Sequence, residues 1–351
     1  MPENPTAEKV SEPVPDAPAI AVGDPADYVV LFLDFMGQKD HLRRWRDLTE
    51  WGYHCGQNHW QSGDPHGLAE AVRKSAGVIA MLYRATRDHL LGSLVYDRFG
   101  TPPDFQLTGI QFSDTVVFYG KMEAKEQVGP QGLFRIFSAL IAASSVTFNS
   151  LLLDTPVRGA ITIGQAVEGI TGAVSCRDAD GAAKKSETTV SDSFFYGPVL
   201  ERAHALENRV ADYTRILVDW SVVDYLNRLQ LVSPNWPEFD GNYRDILGKS
   251  LGLVPGGVDG DESPGLGGFR VLDWAGKNFF DGATPDQRKW FADKLPVFLR
   301  FAKEAQANAM QLYSKTGDQE QLRVAGKHAR LAHYIETRLP IWAGCQASGD
   351  H

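Results

Sequence analysis

Cysteine is scarce: Cys55, Cys176 and Cys345 are the only three in 351 residues, with no regular spacing. An odd, scattered set excludes the disulfide framework of small secreted domains and fits a reducing compartment. Basic blocks are missing too. With 35 Lys and Arg against 44 Asp and Glu, the net charge is -9, and no Lys/Arg run offers nucleic acid or an anionic membrane a patch to grip. A signal-peptide pattern is also absent. Residues 1–26 hold prolines at 2, 5, 13, 15, 18 and 25 among acids, without an apolar core, and read as a disordered tail. The longest apolar stretch, "LFRIFSALIAASSVTFNSLLL" at 133–153, contains Arg135, Asn149 and several Ser and Thr, so it reads as a buried amphipathic helix and not as a membrane span. These absences predict a cytoplasmic protein with neither nucleic acid nor a membrane as partner.

What is present is ample for a core: 43% of residues are hydrophobic and 11% aromatic. "YVVLFLD" (28–34) is a near-continuous apolar run that suits a central strand covered on both faces. Helical spacing recurs over 67–92. "FQLTGIQF" and "TVVFYG" are separated only by Ser113 and Asp114, which predicts a β-hairpin with a carboxylate at its tip. The helix near 131–153 stops before Pro156, and "VRGAITIGQAV" (157–167) reads as a strand. A polar, small-residue stretch (171–193) reads as a surface loop. A helix opens after Gly197 and Pro198, and "TRILVDW" (214–220) is a further strand. This order predicts an α/β (α+β) fold with a mixed sheet, close to a ferredoxin-like βαββαβ core with additions. Beyond residue 225 the texture changes. Residues 248–268 are rich in Gly and Pro; their "GKS" fails as a phosphate loop because the required Gly is Tyr243. A helix capped by Thr284 and started by Pro285 follows, with Phe291, Leu295, Phe298, Ala302 and Ala305 on one face, and another near 317–338. The expected organisation is a tail (1–26), a core domain (27–225) and a C-terminal extension packed on the core (226–351).

"LFLDFMGQKDH" (31–41) raises the chemical question, because it sets one carboxylate, Asp34, at the end of a buried strand. A carboxylate is costly to bury unless it is paired or holds a metal; Asp34 either starts a turn in solvent or belongs to a charged site. The inferred topology brings Asp34 toward the hairpin tip and Asp114. Two carboxylates at close range coexist most readily with divalent cations between them, Mg²⁺ or Mn²⁺, as in two-metal phosphoryl-transfer sites. The break at Met36, Gly37 and Gln38 would offer backbone N–H groups to phosphate oxygens. Tyr53 and Tyr196 are aromatic candidates for such a site, or else belong to the core. His54, Cys55 and His59 hint at zinc but lack a fourth ligand at a plausible spacing. Glu201, Arg202 and Glu207 read as a solvated or partner-facing charged surface.

"VVLFLDFMG", "GIQFSDTVVFYG", "VRGAITIGQA" and "FFYGPVLERAHALE" resemble, in order and spacing, class III nucleotide cyclase domains over roughly residues 27–225. The resemblance implies metal-binding aspartates at Asp34 and Asp114, with the carbonyl of Phe35 as a further ligand. The purine-selecting Lys and Asp of the family fall on Ile110 and Phe194, and its transition-state Asn and Arg on Glu201 and Ala205. In its "RGAITIG" strand and "GPVLERAHALE" helix the chain is most similar to the bacterial pyrimidine (Pycsar) cyclases of antiphage defence. That likeness implies conversion of UTP to 3′,5′-cyclic UMP and pyrophosphate with two divalent cations. It also implies a homodimer with sites at its interface, and a separate effector that reads the product. CTP as substrate and a catalytically silent nucleotide- or partner-binding domain are the alternatives. With Ala205 unable to supply a cation, Arg158 is the candidate for neutralising phosphate charge, beside the reading of a solvated strand-edge arginine.

Overall fold

A computed structural model of the protein describes residues 20–35, 49–50, 61–62, 107–112, 115–122, 129–152, 155–171, 192–211, 213–232, 269–283 and 285–343. The chain divides into two units, one of residues 26–165 and 198–351, the other of residues 1–25 and 166–197.

In the smaller unit, β1 (Ile20–Val22) lies antiparallel to the end of a long strand whose pairing continues with β8 (Asp192–Tyr196). The triplet Ile20-Ala21-Val22, read from sequence as part of the tail, is therefore a strand. Three residues give no periodicity to read, and their pairing partner sits 151 positions downstream, Ile20 opposite Thr171.

The larger unit is built on a mixed sheet. Its strands are β2 (Ala26–Phe35), β5 (Thr108–Phe112), β6 (Thr115–Lys121), β7 (Val157–Thr171, of which 157–165 belong here), β9 (Ile216–Asp219) and β10 (Phe269–Val271). The order across the sheet is β10-β9-β7-β2-β6-β5. The four strands β7-β2-β6-β5 reproduce the 4-1-3-2 order of a ferredoxin-like core, and β9, parallel to β7, makes the sheet mixed. Residues 36–106, which contain the predicted helix at 67–92, lie outside the described residues apart from β3 (Thr49–Glu50) and β4 (Gln61–Ser62), an antiparallel pair. The polar stretch 172–191 and the Gly/Pro-rich stretch 248–268 also lie outside them.

Helices cover both faces, which is why β2 is apolar without alternation. On one face α1 (Pro130–Leu152) and α3 (Trp220–Val232) enclose Val29, Leu31, Leu33, Phe35, Val116, Phe118, Val157 and Ile161. On the other, α2 (Pro198–Arg209) sets Leu206 against Ala160 and His204 against the ring of Phe32, centroids 5.5 Å apart. The 21 residues Gly132–Leu152 of α1 are long and apolar enough to cross a membrane, yet they are mostly buried inside this fold. Their hydroxyls are buried at no loss of hydrogen bonds. Ser144, Thr147 and Ser150 donate to the carbonyls of Leu140, Ala143 and Thr147 at 2.8–3.0 Å.

The C-terminal helices extend this core. After the short α4 (Lys277–Gly282) come α5 (Pro285–Thr316) and α6 (Gln319–Ala343). Gly317 turns the chain between them at φ 67°, a left-handed conformation that costs a residue with a Cβ about 1–2 kcal/mol. Its N–H bonds to Tyr313, and Asp318 then caps α6 by accepting from the Glu320 N–H at 3.0 Å. An aromatic cluster fixes the pair to the core: Phe148 of α1 contacts Phe291 and Phe298 at centroid distances of 3.8 and 4.9 Å. Phe291 in turn stacks on Trp342 of α6.

Candidate active site

Along β2 the faces alternate. Leu31, Leu33 and Phe35 point toward α1, so Tyr28, Val30, Phe32 and Asp34 occupy the α2 face. Asp34 is the position where that face reaches water: its side chain is 19% exposed, after six consecutive buried residues.

Neighbouring β7 puts Arg158 on the same face. At Gly159 an added Cβ would stand 2.2 Å from the Phe32 carbonyl oxygen, so only glycine lets the two strands approach this closely. That approach delivers Arg158 to Asp34. Its Nη2 and Nε lie 2.9 and 3.0 Å from Asp34 Oδ2, and Nε lies 2.5 Å from Oε1 of Glu207 on α2. Arg158 is 13% exposed and the Glu207 side chain 3%. An arginine suits this place because it stays ionised when desolvated and its planar fork can face two acceptors. Two carboxylates thus face one guanidinium, at a strand end that opens to solvent.

Glu207 is the residue that the charge pattern misled. Its charge groups it with Glu201 and Arg202 as a solvated or partner-facing surface. Glu201 is exposed, but Glu207 is buried because it follows Val199, Ala203 and Leu206 on the apolar stripe of α2. That i, i+4, i+7, i+8 spacing was the available signal. Arg202 is also engaged. It chelates the buried Asp219 at the end of β9, Nε–Oδ2 2.8 Å and Nη2–Oδ1 2.5 Å, and this hydrogen bonding raises the guanidinium above its ordinary value. Ser221 Oγ donates to Asp219 at 2.6 Å and accepts from the Ile163 N–H, which ties α2, β9 and β7 together.

Of the residues expected at the site, Asp34, Phe35 and Arg158 are brought together at the β2–β7 end. Asp114, Met36, Gly37, Gln38 and Tyr53 lie outside the described residues, as do His54, Cys55 and His59. The hairpin itself forms as expected: Phe112 pairs with Thr115, and Asp34 pairs across β6 with the same Thr115, the residue after Asp114. Tyr196 belongs to the smaller unit, where it ends β8 opposite Val167 and is 75% exposed. Ile110 pairs with Val117 in the hairpin, and Phe194 pairs with Gly169.

A divalent cation is a test the donor set meets in part. Among the described residues no group of three or more His, Cys, Asp or Glu could enclose a metal. Asp34 offers one hard carboxylate at a solvent-reaching position, and both of its contacts from Arg158 fall on Oδ2. The Asp34 carboxylate alone offers a donor to a cation, which would share it with Arg158.

Fold and site together define a mixed α/β sheet protein with an ionic cluster of Asp34, Arg158 and Glu207 at the open end of its central strands. Among solved structures, the chain is similar to the adenylyl cyclase CyaB from P. aeruginosa, at 12% identity and TM-score 0.35 over 59% of this chain and 83% of that one. It is also similar to the guanylate cyclase domain of RhGC from Catenaria anguillulae in complex with GTP, at 12% identity and TM-score 0.37 over 71% and 96%. A third is the catalytic core of a rhodopsin-guanylyl cyclase with converted specificity in complex with ATPalphaS, at 11% identity and TM-score 0.35 over 72% and 97%. No family profile and no curated protein sequence matches the chain.

Proposed function

We propose that the protein is a nucleotide cyclase that converts UTP to 3′,5′-cyclic UMP and pyrophosphate. The observation that carries this reading is the placement of Asp34. It ends a buried central strand at a solvent-reaching point, and its register partner is the residue that follows Asp114. The motif order around both aspartates supports it.

In the proposed reaction the ribose 3′-oxygen attacks the α-phosphorus, its proton passes to solvent, and the bond to the β-phosphate oxygen breaks to release pyrophosphate. Two divalent cations, Mn²⁺ or Mg²⁺, supply the lowered hydroxyl pKa and the charge neutralisation that such a displacement needs. Asp34, with the Phe35 carbonyl, holds one side of that site, and Asp114 is assigned the other. Arg158 orients the Asp34 carboxylate. To neutralise phosphate charge directly, it exchanges that contact for the phosphate. Met36, Gly37 and Gln38 are assigned to the triphosphate, and Tyr53 to the base. A homodimer with sites at its interface, a cytoplasmic location and a separate effector that reads the product in antiphage defence belong to the same proposal. Within residues 226–351, the helices α5 and α6 act in it as a dimer brace or a lid over the site.

The Arg158 contact supports a second reading, a silent nucleotide- or partner-binding domain, since an internal cation already neutralises Asp34. Incubating the full chain with Mn²⁺ and each of ATP, GTP, CTP and UTP, followed by mass spectrometry, separates these readings. Cyclic UMP from the wild type and none from Asp34→Asn or Asp114→Asn is the expected result. Cyclic CMP alone would move the assignment to cytidylate cyclase, and nucleotide binding without product to the silent domain.

A further inference from the structure

Arg158 is held from two sides that differ in kind. On the α2 side it meets Oε1 of Glu207, 2.5 Å from Nε, and the carbonyl oxygen of Ala211, which accepts from Nη1 at 3.5 Å. Glu207 and Ala211 are both buried, and the N–H groups of Val210 and Ala211 close the end of α2 on the Leu206 carbonyl at 3.0 and 3.1 Å. On the β2 side it meets Asp34, at the solvent-reaching end of the strand, and both contacts fall on one oxygen, Oδ2. The guanidinium therefore has one seat in the interior and one that water reaches.

That asymmetry matters for any cation that Asp34 is to hold, because a guanidinium and a metal ion on the same carboxylate repel each other. Turning a desolvated arginine out of its place is costly when its charge has nowhere to go. Here it need not leave. If Arg158 gives up Oδ2, Glu207 and the Ala211 carbonyl still accept from it, and its planar fork can turn toward them while the backbone beside Gly159 stays in the sheet.

We propose that Arg158 is a built-in competitor for the cation site at Asp34, and that Glu207 is a positioning residue that keeps the guanidinium when a cation takes Asp34. Together they set how much divalent cation is needed to open the site. This inference rests on the assignment of Asp34 to a cation in the cyclase reading.

The test is to titrate Mn²⁺ alone, without nucleotide, into the full chain and to follow the free ion by electron paramagnetic resonance. Binding should be lost in Asp34→Asn. Arg158→Met should bind Mn²⁺ about tenfold more tightly than the wild type, because the competitor is gone. Glu207→Gln should bind it about threefold more weakly, because the guanidinium then falls back on Asp34. In the Arg158→Met background the same Glu207→Gln change should alter the affinity by less than about twofold, whereas a carboxylate acting through its own charge would weaken both proteins alike. Asp34-dependent binding that Arg158→Met leaves unchanged or weakens, or an equal effect of Glu207→Gln with and without Arg158, would overturn this proposal alone. Binding absent from every variant, or unaltered in Asp34→Asn, would overturn the cyclase assignment of Asp34 along with it. Should Arg158→Met fail to fold, the double variant Arg158→Met with Glu207→Gln, which removes the buried carboxylate together with its arginine, takes its place. It should bind Mn²⁺ about tenfold more tightly than Glu207→Gln alone, and equal affinities would overturn the proposal.

Discussion

Arg158 and Glu207 form an ion pair at 2.5 Å in which both side chains are almost withdrawn from water, and the same guanidinium secures Asp34. Removing one partner of a buried pair costs far more than the pair itself contributes, because the other charge stays behind. Arg158→Met should destabilise the fold by about 3–5 kcal/mol, and Arg158→Met with Glu207→Leu by clearly less than the two single changes added. Urea unfolding of the three variants measures this. Additive losses would mean the two side chains do not depend on each other.

The close approach of β7 to β2 gives a second expectation. Gly159→Ala sets a methyl group 2.2 Å from a backbone oxygen that cannot yield without disturbing the sheet. A loss of about 1–3 kcal/mol is expected, as for other overpacked cores. Thermal unfolding checks it, and an unchanged midpoint would place the strands further apart than described.

Phe148 joins α1 to the C-terminal helices through Trp290, Phe291 and Phe298. Phe148→Ala should cost about 3–5 kcal/mol in denaturant unfolding of the full chain. A loss under about 1 kcal/mol would mean that α5 and α6 are held by contacts other than this cluster.

His328 on α6 packs edge-on against Phe301, and burial, helped by Lys327, pushes its imidazole below the usual 6.5. The folded state then binds the proton less readily than the unfolded state. Its contribution is complete above 6.5 and is lost as pH falls through that value toward the lower folded one. Stability should therefore fall as the pH is lowered through 6.5, and His328→Leu should flatten this slope. Identical slopes for both proteins would assign the acid sensitivity elsewhere.

The core was legible where one element carries its own pattern. Alternation and turn residues marked the hairpin at Ser113 and Asp114, and the apolar runs marked β2 and α1 to within a few residues. Pairings over long sequence distances were not legible. β10 has three residues behind a Gly/Pro-rich stretch, and its partner is β9. At the site, Asp34 could be read as exceptional from its place in the strand, whereas the burial of Glu207 needed the helical stripe to be weighed above its charge. Nothing in local spacing announced that Arg158 would meet both carboxylates, because that meeting follows from the order of strands in the sheet.

The sheet order also sets a schedule. Asp34 and Arg158 are 124 residues apart, and their strands become neighbours only after the hairpin and α1 have been laid down between them. Contacts with such separations carry a large loop-closure cost and form slowly. A chain emerging from the ribosome thus presents Asp34 without its counter-ion until β7 has been synthesised, and any fragment that ends before residue 158 lacks the cluster altogether. The charged site is a late product of folding, and its assembly reports that the central strands have found their places.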